Sequence, residues 1–574
     1  MGKFNHLPLA FKRKVKVPYV GLPLLNTPFY NKGSAFGAEE RQALNLRGLV
    51  PPSYQTLKEQ EKRAYEQYRE LPTPLLRNAF MASMSEQNTV LYYKLIEEHI
   101  KEMSSVIYTP TQGDAIQQYS KIFRRPTGCF LPITRPEQIE ERLGRFVRPN
   151  SPEDGGIDYI VVTDGEAILG IGDQGVGGIL ICSAKLALTT ACAGIHPDRV
   201  LPVVLDVGTD NQELRVDELY LGLQQRRTRG KEYDEFVGKF VQAVRKLFPR
   251  AFLHFEDFGV YNARRLLDKY RDQFAVFNDD IQGTGCVTQS CVMAAASVSG
   301  LKLGDLRVLV YGSGSAGTGI ADQIAKGIAA DRGISREEAH KQIFCMDRQG
   351  LLLDNMGDDL SLAQLPFAKP AGEWEGKDTK CLKTMIHEIK PHVLLGTSTR
   401  PGSFTKEIVQ EMARHVERPI IFPLSNPTRL HEAIPQDLYN WTDGKALVAT
   451  GSPFDPVEHN GKVLEPAECN NVVCFPGIGL GCVLGRVKLL TDEMLDEAVR
   501  ALASEAPALK DDTKSLCIDV TQVKPVSVKI AAAIIKEARK SDLLGVEGVP
   551  EDDTELAEWI EAQMWRPEYR ELVA

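Results

Sequence analysis

Two pairs of acids, Glu256-Asp257 and Asp279-Asp280, each close a short apolar run within residues 251–285, AFLHFEDFGVYNARRLLDKYRDQFAVFNDDIQGTG. Between the runs AFLHF and FAVF, Ala263, Leu266, Leu267 and Tyr270 recur at helical spacing, with Arg264, Arg265, Asp268 and Lys269 on the other side. The segment predicts strand, helix, strand: one βαβ unit with parallel strands. Both strands of such a unit end at the same sheet edge, where open α/β sheets take their ligands. Three or four carboxylates crowded there repel one another unless a cation sits among them, and an all-oxygen donor set suits Mg²⁺ or Mn²⁺. The plainer alternative is two helix caps, since Asp and Asn before a helix are ordinary capping residues. Two pairs at matched positions favour the metal.

A second chemical candidate is Lys185, inside GGILICSAKLALTTACAGI, where every near neighbour from Ile179 to Ala191 is uncharged. Most such lysines reach out to solvent. One that stays inside has its neutral amine favoured and becomes able to take a proton. A third candidate is the loop Gly312-x-Gly314-x-x-Gly317, with Ser313, Ser315 and Ala316 between its glycines, set between the apolar run RVLVY and a helical pattern. That arrangement predicts a dinucleotide-binding turn. A second match, Gly170-x-Gly172-x-x-Gly175, places Asp173 where a pyrophosphate would lie and follows an expected hairpin, so the loop at Gly312 is preferred. The next apolar run, QIFCMD, ends at Asp347, an acid placed to hold ribose hydroxyls; this favours NAD, while Arg348 beside it leaves NADP open. Tyr108, before Pro110 at an expected turn, and the strand-end residues Asn426, Asn470 and Asn471 read on their own as packing and turn residues.

The remaining elements must position these groups. The 574 residues, with 43% apolar and 25% charged side chains, suffice for three or four domains at roughly 150 residues each. Net charge −9 and the lack of a basic stripe give no reason to expect nucleic acid, and no uninterrupted apolar run reaches the ~18 residues of a membrane span. Eleven scattered cysteines without a CxxC pair predict reduced thiols of an intracellular protein. The first 38 residues hold no acid and carry Lys12, Arg13, Lys14 and Lys16; a single Arg, a single Ser and several prolines favour the cytosol over a mitochondrial transit peptide. Residues 39–103 predict charged helices (ERQALNLRGL, TLKEQEKRAYEQYREL, NTVLYYKLIEEHIKEM) separated by prolines. Residues 157–172 predict two strands, DYIVVT and AILGIG, joined by a short turn, and RVLPVVLDVGT, PHVLLGTST, RPIIFPLSN and ALVATGSP predict further strands. The chain closes on helical patterns, VKIAAAIIKEARK and ELAEWIEAQM.

SVIYTPT, VVTDGEAILGIGDQG, KLALTTACAGI, LPVVLDVGTDN, HFEDFG, FNDDIQGT, PLSNPT, ATGSPF and NNVVCFPGIGLG, in this order and spacing, resemble the malic enzymes over nearly the whole chain. The resemblance implies an α/β protein whose Rossmann-type dinucleotide-binding domain (279–467) is inserted in a discontinuous α/β substrate and metal domain (127–278 and 468–537). A helical N-terminal domain (1–126) and a short helical tail (538–574) complete it. It also implies Glu256, Asp257 and Asp280 as ligands of Mg²⁺ or Mn²⁺, with Asp279 beside them in the catalytic set. Lys185 becomes the general base, Tyr108 the general acid, and Asn426, Asn470 and Asn471 substrate contacts. The expected reaction is oxidative decarboxylation of L-malate to pyruvate and CO₂ with NAD(P)⁺, by a homodimer or homotetramer without nucleic-acid or membrane partners.

One position departs from the family pattern: Ala167 stands where an Arg usually forks onto the substrate carboxylate, and loss of such a contact costs on the order of 2–4 kcal/mol. The malolactic enzymes, a sister group, also lack that Arg. This keeps a lactate-forming reaction with retained NAD, or an impaired malate-binding homologue, as alternatives. Gln87 stands where an activator-site Arg is usual, so fumarate activation is not expected.

Overall fold

In the computed structural model, which describes every residue except 1, 2, 5, 8, 11–13 and 149–155, the chain forms two units. One comprises Met1–Arg265, Gly479–Lys488 and Leu544–Ala574; the other comprises Leu266–Ile478 and Leu489–Leu543.

The N-terminal part of the first unit contains helices α1 (Leu57–Glu70), α2 (Pro74–Gln87), α3 (Thr89–Glu98), α4 (Ile100–Ile107) and α5 (Thr111–Gln117). Their starts are written locally. Thr56 and Glu59 form a capping box on α1, Thr73 caps α2 ahead of Pro74, and Asn88 caps α3. The helix expected over NTVLYYKLIEEHIKEM is two, broken at His99, whose Nε2 reaches Glu61 at 2.7 Å while its ring stacks on Tyr65. ERQALNLRGL gives only the short helix Ala38–Ala43, because Asn45 turns left-handed at φ 56°. Of the basic segment, Lys12 and Arg13 lie outside the described residues; Lys14 pairs with Glu571, and Val15–Lys16 runs parallel to Leu572–Val573.

Four parallel strands follow in this unit: β1 (Cys129–Pro132), β2 (Tyr159–Thr163), β3 (Val200–Asp206) and β4 (Phe252–Phe255), ordered β1-β3-β2-β4. β2 and β4 are buried at every position, as expected of parallel strands covered on both faces. Helix α6 (Ile179–Ala193) packs on β2 and β3, and α7 (Gly230–Leu247) is amphipathic, burying Phe236, Phe240 and Val244. α6 with its lead-in is apolar enough to cross a membrane by length and composition, yet 83% of that window is buried inside this unit, so it is a core helix. It ends at Gly194, φ 64°, a left-handed C-cap.

A strand expectation also fails in this unit. Residues 167–172, read as a second strand, form a tight loop with a single antiparallel bridge between Ile168 and Gly172. Two of the backbone N–H groups a strand would need, those of Ala167 and Leu169, are donated instead to Asp257, at its carbonyl and its Oδ2 respectively, both at 3.1 Å.

Helix α8 (Val260–Tyr270) carries the chain into the second unit, where β5 (Val276–Asn278) leads through a wide turn, Asp279–Gly283, into α9 (Thr284–Val298). The strand–helix–strand sequence predicted for 251–285 is present. The sheet of this unit is built from β6 (Val308–Tyr311), β7 (Ile343–Asp347), β8 (Gly350–Leu351), β9 (Val393–Gly396), β10 (Ile420–Pro423), β11 (Leu447–Thr450) and β12 (Ala467–Glu468). Its order is β12-β11-β10-β9-β6-β7-β8, parallel except for the β7–β8 hairpin. The crossovers include α10 (Ser315–Arg332), α11 (Leu382–Ile389) and α12 (Lys406–His415). After β6 the chain moves outward to β7 and later returns to the opposite side as β9, which makes the β6 end a topological switch point. α13 (Asp492–Ala503) and α14 (Val523–Lys540) pack on each other, and α13 on α9. The last helix, α15 (Asp553–Gln563), belongs to the first unit.

His196, just past α6, packs its ring near Phe29 and Trp565 and accepts a hydrogen bond at Nδ1 from the Asp198 N–H. Burial, then the nearby guanidinium groups of Arg199, Arg148 and Arg570, push its pKa down to about 3. The unfolded chain therefore binds a proton that the folded one refuses between pH 6.5 and about 3. The stability this represents is complete above pH 6.5 and is lost progressively as pH falls through that window. His196→Asn keeps an acceptor for the Asp198 N–H and cannot titrate, so urea unfolding should fall off less steeply with acid over this range; an unchanged slope would refute the assignment.

Candidate active site

In the first unit, Lys185 projects from the buried face of α6 and is 1% exposed. Its Nζ lies 3.0 Å from Glu256 Oε1, and Glu256 is 2% exposed. The lysine thus does not reach solvent; it stays inside, paired. Glu256 Oε2 faces His254 Nε2 at 2.8 Å, and His254 Nδ1 faces the Tyr159 hydroxyl at 2.9 Å. The line Lys185–Glu256–His254–Tyr159 satisfies both oxygens of a buried carboxylate. Tyr108, at the end of α4, holds its ring with its centroid 5.2 Å from Lys185 Nζ. The α4–α5 corner is tied to α6 through Gln112, which donates to the Leu180 carbonyl at 2.8 Å. Lys185, Tyr108 and Glu256 are therefore brought together.

Asp257, 4% exposed, sits in the left-handed region at φ 53°, and its carbonyl and Oδ2 take the Ala167 and Leu169 N–H groups. Asp257 is thereby occupied in fixing the 167–172 loop. Behind that loop, Arg227 spans two acids: its guanidinium donates to both oxygens of Asp173, at 2.6 and 2.9 Å, and to the Asp164 carbonyl at 2.9 Å. Tyr233 donates to Asp164 Oδ2 at 2.7 Å. Burial raises the pKa of Asp164, with Arg227 and Tyr233 drawing it back. Asp173, the residue that argued against a nucleotide at Gly170–Gly175, is here a partner of Arg227.

In the second unit, Asn278 caps the turn after β5: its side chain accepts from the Ile281 N–H at 3.0 Å. The cap expected as the plainer use of Asp279 and Asp280 is thus filled by their neighbour. Asn471 Nδ2 donates to Asp279, at its carbonyl and Oδ2, and to Thr284 Oγ1, all at 3.1 Å. A Cβ on Gly283 would stand 1.9 Å from Asp279 Oδ1, so glycine is required for the acid to lie where it does. Asn470 instead accepts from the Val472 N–H and donates to Glu468, both at 3.1 Å, which is the turn-forming use read from sequence alone. Asn426, past β10, donates to the Gly451 carbonyl at 2.9 Å.

The glycine loop stands at the switch point. Gly312 has φ 103°, and a Cβ there would meet the backbone of Thr397 and Ser398 at 2.5 Å. Gly314 has open space beside it and precedes the first turn of α10, whose start at Ser315, Ala316 and Gly317 is the kind of helix N-terminus that suits an anion. Asp347 closes β7, and its Oδ2 lies 3.3 Å from Ser313 Oγ and 3.1 Å from Gln364 Nε2. Arg348 is exposed in the β7–β8 turn. Loop, helix start and strand-end acid fit a dinucleotide. The buried carboxylates Glu256 and Asp257 offer the oxygen donors a hard divalent ion takes.

The fold and these residues define a two-unit α/β protein with a dinucleotide-type loop and a buried lysine–carboxylate pair. Residues 85–271 match the model for the malic enzyme N-terminal domain, and 281–539 that for the malic enzyme NAD binding domain. The chain belongs to the malic enzyme family. It is 49% identical to the mitochondrial NAD-dependent malic enzyme of Saccharomyces cerevisiae, over 98% of this chain and 85% of that one. It is 44% identical to the NAD-dependent malic enzyme of Schizosaccharomyces pombe, over 99% of this chain and 100% of that one. The crystal structure of Entamoeba histolytica malic enzyme, 21% identical, shares the fold with a TM-score of 0.53 over 91% of this chain and 90% of that one.

Sequence reasoning missed His254 and Arg227. His254 carried a signal, since it stands two residues before Glu256 on a strand and so points to the same face. Arg227 carried none, lying in the loop segment QQRRTRG. Arg227→Met leaves two buried or half-buried carboxylates without their cation and should lower unfolding free energy by about 3–5 kcal/mol, read by urea denaturation. A loss below 1 kcal/mol would show that the network does not hold the loop.

Proposed function

We propose that this chain is an NAD-dependent malic enzyme, converting L-malate and NAD⁺ to pyruvate, CO₂ and NADH. The observation that carries the reading is the buried Lys185–Glu256 pair at 3.0 Å with Tyr108 against it, in a chain of this family. Glu256, Asp257 and Asp280 would hold the divalent cation, Mg²⁺ or Mn²⁺, with Asp279 beside them. The loop Gly312–Gly317 and Asp347 would hold NAD. The cation supplies Lewis-acid polarisation of the substrate oxygens and the dinucleotide accepts the hydride.

The chain's own groups do the rest. Lys185 takes the proton of the substrate hydroxyl at Nζ, and Glu256 fixes where that nitrogen points. The apolar wall of α6 excludes water that would compete for the proton. Tyr108 returns a proton to carbon after CO₂ has left, from a ring already lying against the amine. Asn471 keeps Asp279 in place, while Asn426 and Asn470 would contact the substrate. Asp347 at the β7 end supports NAD over NADP, in keeping with the relatives named for NAD dependence. A homodimer or homotetramer is the expected form, read by light scattering. For location, the cytosol expected from the sequence stands against a relative named as mitochondrial; imaging of the tagged full chain decides between them.

Two measurements test the reading. With L-malate and Mn²⁺, absorbance at 340 nm should rise with NAD and much less with NADP; lactate formed without any rise would establish the malolactic alternative, and no CO₂ release would leave an impaired homologue. Lys185→Ala should lower kcat by 10²-fold or more, the usual worth of a positioned proton acceptor, while NAD affinity changes less than threefold. Turnover within tenfold of the unsubstituted enzyme would remove the lysine from this role.

A further inference from the structure

Away from these groups, on the second unit, two helices flanking β9 bring together a set of donors of a different kind. His387 lies in the last turn of α11, and Glu411 and His415 stand four residues apart on one face of α12. Glu411 is 5% exposed although charged. Its Oε1 faces His387 Nδ1 at 2.8 Å and His415 Nε2 at 3.1 Å, while Oε2 accepts from Arg414 Nη1 at 2.7 Å. One nitrogen of each imidazole and one Glu411 oxygen all lie within 4.8 Å of one another. The two rings stand nearly edge to face, centroids 5.6 Å apart at 69°.

We propose that His387, Glu411 and His415 form a binding site for a late first-row divalent metal ion, Zn²⁺ being the natural occupant. Two imidazoles and one carboxylate from helical positions suit such an ion and are ill suited to Mg²⁺, whose donors are carboxylates, carbonyls and water. The two ring nitrogens already face a single oxygen, so an ion entering between them takes the place of the hydrogens that now bridge ring to carboxylate. The side chain of His387 is 63% exposed, which gives the ion a direct path and leaves water to complete the coordination. Arg414, held on the other carboxylate oxygen, keeps Glu411 oriented and does not occupy the oxygen shared by the two rings. Bound there, the ion ties together α11 and α12, the helices before and after β9 in the chain; the residue following β9, Thr397, donates to the Gly312 carbonyl at 2.5 Å. The site therefore lies on the scaffold of the glycine loop and outside the groups proposed for turnover.

The test uses the full-length enzyme in excess Mg²⁺, titrated with Co²⁺ as a visible-absorbing probe and with Zn²⁺ by competition. The expected result is one equivalent of Co²⁺ giving visible absorption, displaced by Zn²⁺, with affinity reduced at least tenfold in both His387→Ala and His415→Ala. Because His387 is exposed, its removal leaves folding and Mg²⁺-supported activity unchanged, which separates this site from the one proposed for malate. Equal Co²⁺ stoichiometry and affinity in the unsubstituted enzyme and both variants would overturn the proposal, as would loss of signal in neither or only one of them.

Discussion

A buried lysine paired with a buried carboxylate is the interaction on which the first unit depends. Taking such strongly polar groups out of water is costly and is repaid only with good geometry and with the remaining hydrogen-bonding capacity filled. Here Lys185 meets Glu256 at 3.0 Å, and the second carboxylate oxygen meets His254, which in turn meets the Tyr159 hydroxyl. The pair constrains everything around it. β4 must present His254, and the residue just past its end Glu256, on one face, β2 must present Tyr159, and α6 must be apolar enough to seal the lysine in. That is why a helix with the composition of a membrane span lies in the core of this unit.

The second unit has a steric constraint where the first has an electrostatic one. Gly312 lies against the backbone after β9, and Gly283 lies against the Asp279 carboxylate; at both points a methyl group would collide. Backbone brought that close to strand ends leaves its N–H groups facing outward at the mouth of the sheet, which suits a loop that receives phosphates. Asn471 then fixes Asp279 from the side with two contacts and reaches Thr284 with a third. Small residues make the room and an amide fills it.

These constraints explain what could be read from the sequence. Strand ends were legible because apolar runs stop abruptly at acids or small polar residues; β4, β5, β7, β9, β10 and β11 all fall on such runs. The choice between two glycine motifs was legible because an acid at Asp173 opposes a phosphate, and Asp173 pairs with Arg227. The segment AILGIG was misread because its alternation is that of a strand, whereas Asp257, ninety residues later, takes two of its N–H groups. No local pattern carries that information. The break at His99 and the network around Arg227 were invisible for the same reason, each being decided by partners distant in the chain.

Ala167 sits in a loop whose shape does not depend on the side chain at that position. What anchors residue 167 is its backbone N–H on the Asp257 carbonyl, and any amino acid other than proline makes that bond. The neighbouring Leu169 N–H on Asp257 Oδ2, and Arg227 behind the turn, are equally indifferent to the side chain at 167. An arginine there would add reach toward a carboxylate without being needed to assemble the loop. Its replacement by alanine therefore leaves Asp257, Glu256 and Lys185 where the rest of the unit holds them. The position of the amine proposed to take the substrate proton does not depend on the side chain at 167.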